Sequence, residues 1–337
     1  MGGLIDKIIE HQAQARENIF LREQYQERTR FESMIGQSRA MQKIFDLIED
    51  IAPMDSTVLI TGETGTGKGL AAKAIHTKST RSNGPFVAVN CGAVPSHIME
   101  SELFGHQKGA FTDAKETKKG RLEMSHGGSL FLDEIGEISM RMQIDLLHVL
   151  EDRVFYRVGG TQPHEAYFRV IAATNRNVED AIKQGILRED LYYRLNVISF
   201  RMPALRERKE DIPLLAEHFL HRFSQEANKP VKTITREAID DMMLYEWPGN
   251  VRELENAVER AVVVGKGAII MPQDLPIFCH EDLRPRKHHS LKEVEKAHIF
   301  EILHEYEWNI SKSSQILGID RSTLYSKIKR YNINKPA

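Results

Sequence analysis

The run Val58-Leu59-Ile60-Thr61-Gly62-Glu63-Thr64-Gly65-Thr66-Gly67-Lys68-Gly69 decides how this chain is read. A short apolar stretch enters a glycine-rich turn that holds one lysine, and Leu70-Ala-Ala-Lys-Ala-Ile75 continues with a helical pattern. Glycines let successive backbone N–H groups converge on phosphate oxygens, a lysine at this spacing reaches the β- and γ-phosphates, and the helix that follows presents its positive end. Residues 62–69 are therefore expected to bind a nucleoside triphosphate, ATP, with Mg²⁺. The Ser or Thr that usually closes such a loop and touches Mg²⁺ is replaced by Gly69, so the metal must lean on another carboxylate.

That carboxylate is sought at the end of a neighbouring strand. Apolar runs recur at Thr57–Thr61, Phe86–Asn90, Ser129–Asp133, Arg169–Thr174 and Asn196–Phe200, separated by helical periodicity. Short runs of this kind predict an α/β fold with a mostly parallel sheet covered by helices on both faces. Gly127-Gly-Ser-Leu-Phe-Leu-Asp133-Glu134 ends a strand in adjacent carboxylates. At the phosphate-loop end of a parallel sheet, Asp133 is expected to hold Mg²⁺ and Glu134 to act as the catalytic base that orients the attacking water. Asn175, closing Ala172-Ala-Thr-Asn, would sit beside this pair and position the water or the γ-phosphate.

Beyond residue 205 the strand signal fades, and helical spacing takes over in Ile212–Phe223, Thr235–Tyr245 and Val251–Val264. Prolines and mixed charges between Pro272 and Pro285 mark a linker. The expected organisation is a polar linker helix at 1–30, an α/β unit at 31–205, a small helical bundle at 206–278, a linker at 279–290 and a terminal module at 291–337. Met1-Gly-Gly reads either as a natural start or as the trace of a removed upstream regulatory domain.

With 337 residues, 41% hydrophobic and 28% charged, the chain has room for several globular domains. Its net charge of −2 hides an uneven distribution: from Asn309 onward Lys312, Arg321, Lys327, Lys329, Arg330 and Lys335 face a single acid, Asp320. Two cysteines, Cys91 and Cys279, are too few for a disulfide scaffold or a zinc knuckle, which fits a cytoplasmic location. No apolar run approaches the ~20 residues that span a bilayer, so no membrane partner is expected.

The basic terminus reads as a helix-turn-helix. Ser311–Leu317 forms a short amphipathic helix, Gly318 turns the chain, Asp320 or Ser322 caps the next helix, and Arg321–Arg330 follows. Leu324 and Ile328, four apart, should pack inward and leave Arg321, Ser322, Thr323, Tyr325 and Ser326 toward a DNA groove. Lys327, Lys329 and Arg330 are expected on phosphates of double-stranded DNA.

Taken together, these residues resemble the AAA+ ATPases that activate bacterial RNA polymerase carrying the sigma-54 factor. The resemblance covers about nine-tenths of the chain and is most specific at Glu102-Leu-Phe-Gly-His-Gln-Lys-Gly109-Ala-Phe111-Thr112-Asp113-Ala114, which is similar to the family's GAFTGA loop. It implies a P-loop NTPase of AAA+ type, a helical lid and a Fis-type all-α DNA-binding domain at an upstream enhancer site. It also implies that Phe111 and Thr112 touch sigma-54. The fifth loop position is Asp113 where the family has glycine, which removes backbone freedom and adds a charge.

Other positions follow from the same resemblance. Leu187-Arg188-Glu-Asp-Leu-Tyr-Tyr-Arg194 is similar to the segment that offers arginines to ATP in the next subunit, so Arg188 and Arg194 are finger candidates, a role that supplies ~10³-fold or more in rate in related chemistry. Trp247-Pro-Gly-Asn250-Val-Arg252 resembles a second sensor, with Asn250 capping a helix and Arg252 reaching the γ-phosphate. Asn90 corresponds to a switch residue that holds the catalytic glutamate. A homo-oligomer follows: a hexamer or heptamer when active, a dimer at rest. Two other functions share parts of the pattern: a protein-remodelling or helicase-loading motor, and a DNA-binding repressor whose ATP site governs assembly.

Overall fold

The computed structural model describes residues 30–111, 114–227, 229, 233–265, 267–277, 291–306, 308–331 and 333. The expected linker helix at 1–30, apart from Arg30, and the linker at 279–290 lie outside them, as do Thr112, Asp113 and Cys279. The chain forms two compact units, residues 1–277 and 278–337.

In the first unit, β1 (Val58–Thr61), β2 (Phe86–Asn90), β3 (Ser129–Asp133), β4 (Arg169–Thr174) and β5 (Ile198–Arg201) form one sheet in the order β5-β1-β4-β3-β2. Every pairing is parallel, with Ile171 opposite Val58 and Asn90 opposite Asp133. The side chains alternate between two cores. Val58, Ile60, Phe131 and Ile171 pack on α1 (Arg39–Ile51) and α2 (Lys68–Thr77), whereas Leu59, Leu130, Leu132 and Val170 pack with Met99, Leu146 and Leu191 of the other helical layer. Burial on both faces is why the inner strands β1, β3 and β4 read as continuous apolar runs, while the edge strands β2 and β5 expose Ala88, Ser199 and Arg201. Strand β5 starts at Ile198 rather than Asn196, because Asn196 still closes the preceding helix, its N–H bonded to Tyr192 O at 2.8 Å.

That second layer contains α3 (Ser96–Phe104), α4 (Arg121–Met124), α5 (Met140–Asp152), α6 (Val178–Lys183) and α7 (Glu189–Leu195). Ser139 and Asn177 cap α5 and α6 through backbone N–H groups three residues on. Two polar insertions interrupt it: Gly105–His106 pairs antiparallel with Lys118–Lys119, and Val154–Tyr156 with Pro163–Glu165. The lid follows as α8 (Ile212–Glu226), α9 (Arg236–Leu244) and α10 (Asn250–Val264), around a core of Leu205, Phe219, Trp247 and Val258.

The second unit holds α11 (Leu291–Glu305), α12 (Ile310–Ile316) and α13 (Arg321–Tyr331) around Ile299, Leu303, Leu324 and Tyr331. Asn309 caps α12, and Gly318, at φ +63°, turns the chain toward α13. No described helix is long and apolar enough to cross a membrane.

Candidate nucleotide site and its surroundings

The loop between β1 and α2 takes its shape from its glycines: Gly62, Gly65 and Gly67 all have positive φ, and a Cβ on Gly65 would lie 2.2 Å from Gly249 O. Thr66 Oγ1 closes the loop onto Glu63 O at 2.8 Å. Lys68 donates to Gly62 O and Glu63 O at 2.8 and 2.9 Å. Burial pulls its ammonium pKa down, and the negative charges of Asp133 and Glu134 oppose that fall.

Beside the loop lies a cleft of about 740 Å³, lined by Thr64–Gly69, Asn90, Asp133, Glu134 and Arg252. Asp133 Oδ1 accepts from Glu134 N at 3.0 Å, and Glu134 itself stands in the left-handed region at φ +56°. Its carboxylate fits because Gly92 has no side chain: a Cβ there would be 2.5 Å from Glu134 Oε2. Asn90 Oδ1 accepts from Gly92 N at 2.9 Å. The resemblance implies an Asn90–Glu134 grip, but among the described hydrogen bonds the asparagine serves the Gly92 turn instead. Asn175 Nδ2 donates to Thr64 Oγ1 at 3.1 Å, which sets it against the phosphate loop.

The residues suit Mg²⁺ carried by a nucleotide. Asp133 offers one hard oxygen next to Lys68, Gly69 offers none, and no cluster of three metal-binding side chains exists among the described residues. Mg²⁺ typically takes one or two protein carboxylates, with phosphates and water completing its shell.

Arg188 and Arg194 do not line this cleft. Arg188 grips Asp190 with Nε and Nη2 at 3.0 and 2.6 Å, beside a shallow depression that includes Tyr193. Arg194 donates to Leu150 O at 3.0 Å. Neither serves the ATP site of its own chain.

Three assignments change at this cleft. Asn250 is not a cap: Gly249 occupies that position without a side-chain bond, and Asn250, wholly buried at φ +54°, turns its amide inward. Its Oδ1 accepts from Leu205 N at 2.8 Å, and its Nδ2 donates to Glu63 Oε2 and Thr64 O at 3.1 and 3.0 Å. Gly62, expected as a nucleotide ligand, does not line the cleft, and neither does Glu63, expected in the same role. Its carboxylate takes Arg206 Nη1 and Nη2 at 2.8 and 2.5 Å.

Sequence reasoning missed the segment Arg206-Glu-Arg-Lys-Glu-Asp211. The signal is six consecutive charged residues after the last strand, which by composition mark only a domain boundary. Arg208 is buried, donates to Thr66 O at 2.9 Å, and its Nε finds no partner among the described residues. Asp211 accepts from Gln37 N, Ser38 N and Ser38 Oγ at 2.7, 2.7 and 2.8 Å, fixing the entry to α1.

Phe111 is 44% exposed at the end of the described part of its loop, with its ring against His106 at 4.9 Å between centroids. Gly109 N bonds to Ala114 O at 2.8 Å across the loop. The second insertion supports it: Gln107 N donates to Val158 O, and Gly159 lacks the Cβ that would press on Ala110 at 2.8 Å.

In the second unit, Arg321, Ser322, Tyr325, Ser326, Lys329 and Arg330 are exposed on α13, Thr323 is half-buried and Leu324 is buried. Lys327 departs from its expected role. It pairs with Glu295 of α11, which also accepts from the Tyr331 hydroxyl, so this lysine ties two helices together.

A glycine cradle with a buried lysine, a strand-end carboxylate pair and a helical lid define a P-loop ATPase. Comparison with known proteins narrows the class. Residues 34–201 match the Sigma-54 interaction domain, 206–293 the AAA+ ATPase lid domain and 290–331 the bacterial regulatory proteins of the Fis family. The chain is 47% identical over 301 residues to the transcriptional regulatory protein ZraR of Salmonella typhimurium, covering 88% of this chain and 68% of that one. To the regulatory protein AtoC of Escherichia coli it is 44% identical over 313 residues, covering 89% and 68%. The crystal structure of NtrX from Brucella abortus in complex with ATP is similar, with 36% identity, a TM-score of 0.69 and coverage of 97% and 76%. The chain belongs to the sigma-54-dependent activators, with an AAA+ ATPase and a Fis-type helix-turn-helix.

Proposed function

We propose that this protein binds an upstream DNA site through α13, assembles into a hexameric or heptameric ring from a resting dimer, and uses ATP hydrolysis to drive the Phe111 loop against sigma-54 in RNA polymerase, opening promoters in the cytoplasm. The observation that carries the reading is continuity between cleft and loop. Glu134 sits against Gly92, Gly92 is held by Asn90, and the chain runs from there into α3 and directly onto the neck Gly105–His106 that bears Phe111.

In the chemical step, Glu134 orients the water and accepts its proton, Lys68 and the loop N–H groups balance the developing phosphate charge, and Asn175 and Arg252 position the transferred group. Mg²⁺ held by Asp133 would further neutralise the phosphates. Since Arg188 and Arg194 do not line the cleft of their own chain, a neighbouring subunit supplies them, and assembly switches on turnover. Phe111 with Thr112 supplies the sigma-54 contact.

The test is co-elution with purified sigma-54 in ADP and aluminium fluoride, beside the Phe111→Ala variant. A nucleotide-dependent complex that the variant loses is expected. No complex from a protein that still hydrolyses ATP and binds DNA refutes the sigma-54 step and favours a repressor or another remodelling target.

A further inference from the structure

The lid meets the phosphate loop through one compact set of bonds. Asn250 donates to Glu63 Oε2 and Thr64 O, Val251 N donates to Gly65 O at 3.0 Å, and Arg206 grips both oxygens of Glu63. Gly65 and Gly249 approach so closely that no side chain fits between them. Arg208, of the same charged segment as Arg206, holds Thr66 O. Arg252, two residues beyond Asn250, lines the cleft on the first turn of α10.

Glu63 does not face that cleft, and an unpaired carboxylate beside a triphosphate would repel it. Here both oxygens are spent on Arg206 and Asn250. We infer that Glu63 is a positioning residue, which with Arg206 and Asn250 makes the phosphate loop and the start of α10 one body, so that Arg252 meets the γ-phosphate in register with Lys68. The inference rests on the γ-phosphate role proposed for Arg252. It explains why a carboxylate stands inside a phosphate loop: it serves the lid, and through the lid the discrimination of ATP from ADP.

The test measures mant-ATP and mant-ADP affinity of the full chain as Glu63→Ala, Glu63→Gln, Arg252→Ala and the Glu63→Ala/Arg252→Ala pair, with far-ultraviolet dichroism as a control for folding. Glu63→Ala and Arg252→Ala should each weaken ATP binding about tenfold while ADP changes less than about twofold, and the pair should be no worse than either alone. Glu63→Gln, still able to accept from Asn250, should recover part of the loss. If Glu63→Ala fails to fold, Arg206→Ala breaks the same brace and must show the same selectivity. Equal loss for ATP and ADP, or multiplying losses in the pair, overturns the inference. If Arg252→Ala leaves the ATP preference intact, the role of Arg252 falls and the inference falls with it. If Arg252→Ala abolishes the preference while Glu63→Ala keeps it, only the inference falls.

Discussion

Replacing Asn250 by alanine should be among the most damaging single changes in the ATPase unit, and the structure sets the size. The side chain is wholly buried and accepts from Leu205 N at 2.8 Å while donating to Glu63 and Thr64. A buried group left unpaired costs about 1–3 kcal/mol, and the Leu205 N–H is one such group. Asn250 also stands at φ +54°, where a Cβ-bearing residue without a local polar side chain costs about 1–2 kcal/mol. The expected loss is therefore about 2–5 kcal/mol for Asn250→Ala. Asn250→Gly removes the backbone component and should recover about 1 kcal/mol of it. Trp247 reports on the lid core: its indole donates to Met242 O at 2.7 Å, and its own carbonyl accepts from Asn250 N. Urea unfolding followed by Trp247 emission in a Trp308→Phe background measures both variants. A loss below about 1 kcal/mol for alanine, or a glycine variant no better than alanine, would refute the argument.

Four other outcomes follow from the same geometry. Glu134→Gln should bind ATP with near-native affinity and lose turnover by about 10²–10⁴-fold, read from steady-state phosphate release; rapid hydrolysis removes Glu134 from the base role. Gly65→Ala should disrupt the contact between loop and lid, because its Cβ would lie 2.2 Å from Gly249 O; Gly69→Ala, whose Cβ first meets Phe131 at 3.7 Å, should stabilise α2 by about 0.5–1 kcal/mol in thermal melts. Arg321→Ala should relax DNA sequence preference, whereas Lys329→Ala should weaken all sequences alike and lower the salt slope by about 1, both read from binding isotherms at several salt concentrations. Hydrogen bonds from Arg206 and Asn250 bring the Glu63 pKa from 4.5 down to about 2, so its contribution to stability is fully present above its unfolded value and disappears as pH falls toward about 2. The urea-midpoint difference between wild type and Glu63→Gln should hold constant above about pH 5 and shrink below it.

The sequence reading succeeded where one residue type or a single period carries the physics, and it failed where partners lie far apart in the chain. The five strands were legible as apolar runs, the three inner ones being buried on both faces, and the glycines of the phosphate loop mark a cradle that their positive φ values build. The two antiparallel pairs beside Phe111 were not, since runs as short and polar as Lys118–Lys119 show no periodicity. Asn250 was misread because Pro-Gly-Asn before a helical run has the composition of a cap. Nothing local reveals that its amide reaches Glu63, 187 residues away. Lys327 failed in the same way: helical spacing gives its face, but only the fold brings Glu295 to that face.

These misreadings share a cause that bears on how the cleft works. One wall is cross-braced by Asn250, Val251, Arg206 and Arg208, which hold the phosphate loop from the lid side at four successive residues, Glu63 through Thr66. On the facing wall Glu134 sits in a strained conformation over Gly92, whose N–H is kept by Asn90. If hydrolysis is coupled to the loop as proposed, the braced wall should resist the loss of one phosphate and Glu134, held in the left-handed region, should move first. On the proposed function, the wall that yields is the one from which the chain leads through α3 to Phe111, and the brace that sequence alone conceals would direct the consequence of hydrolysis toward that loop.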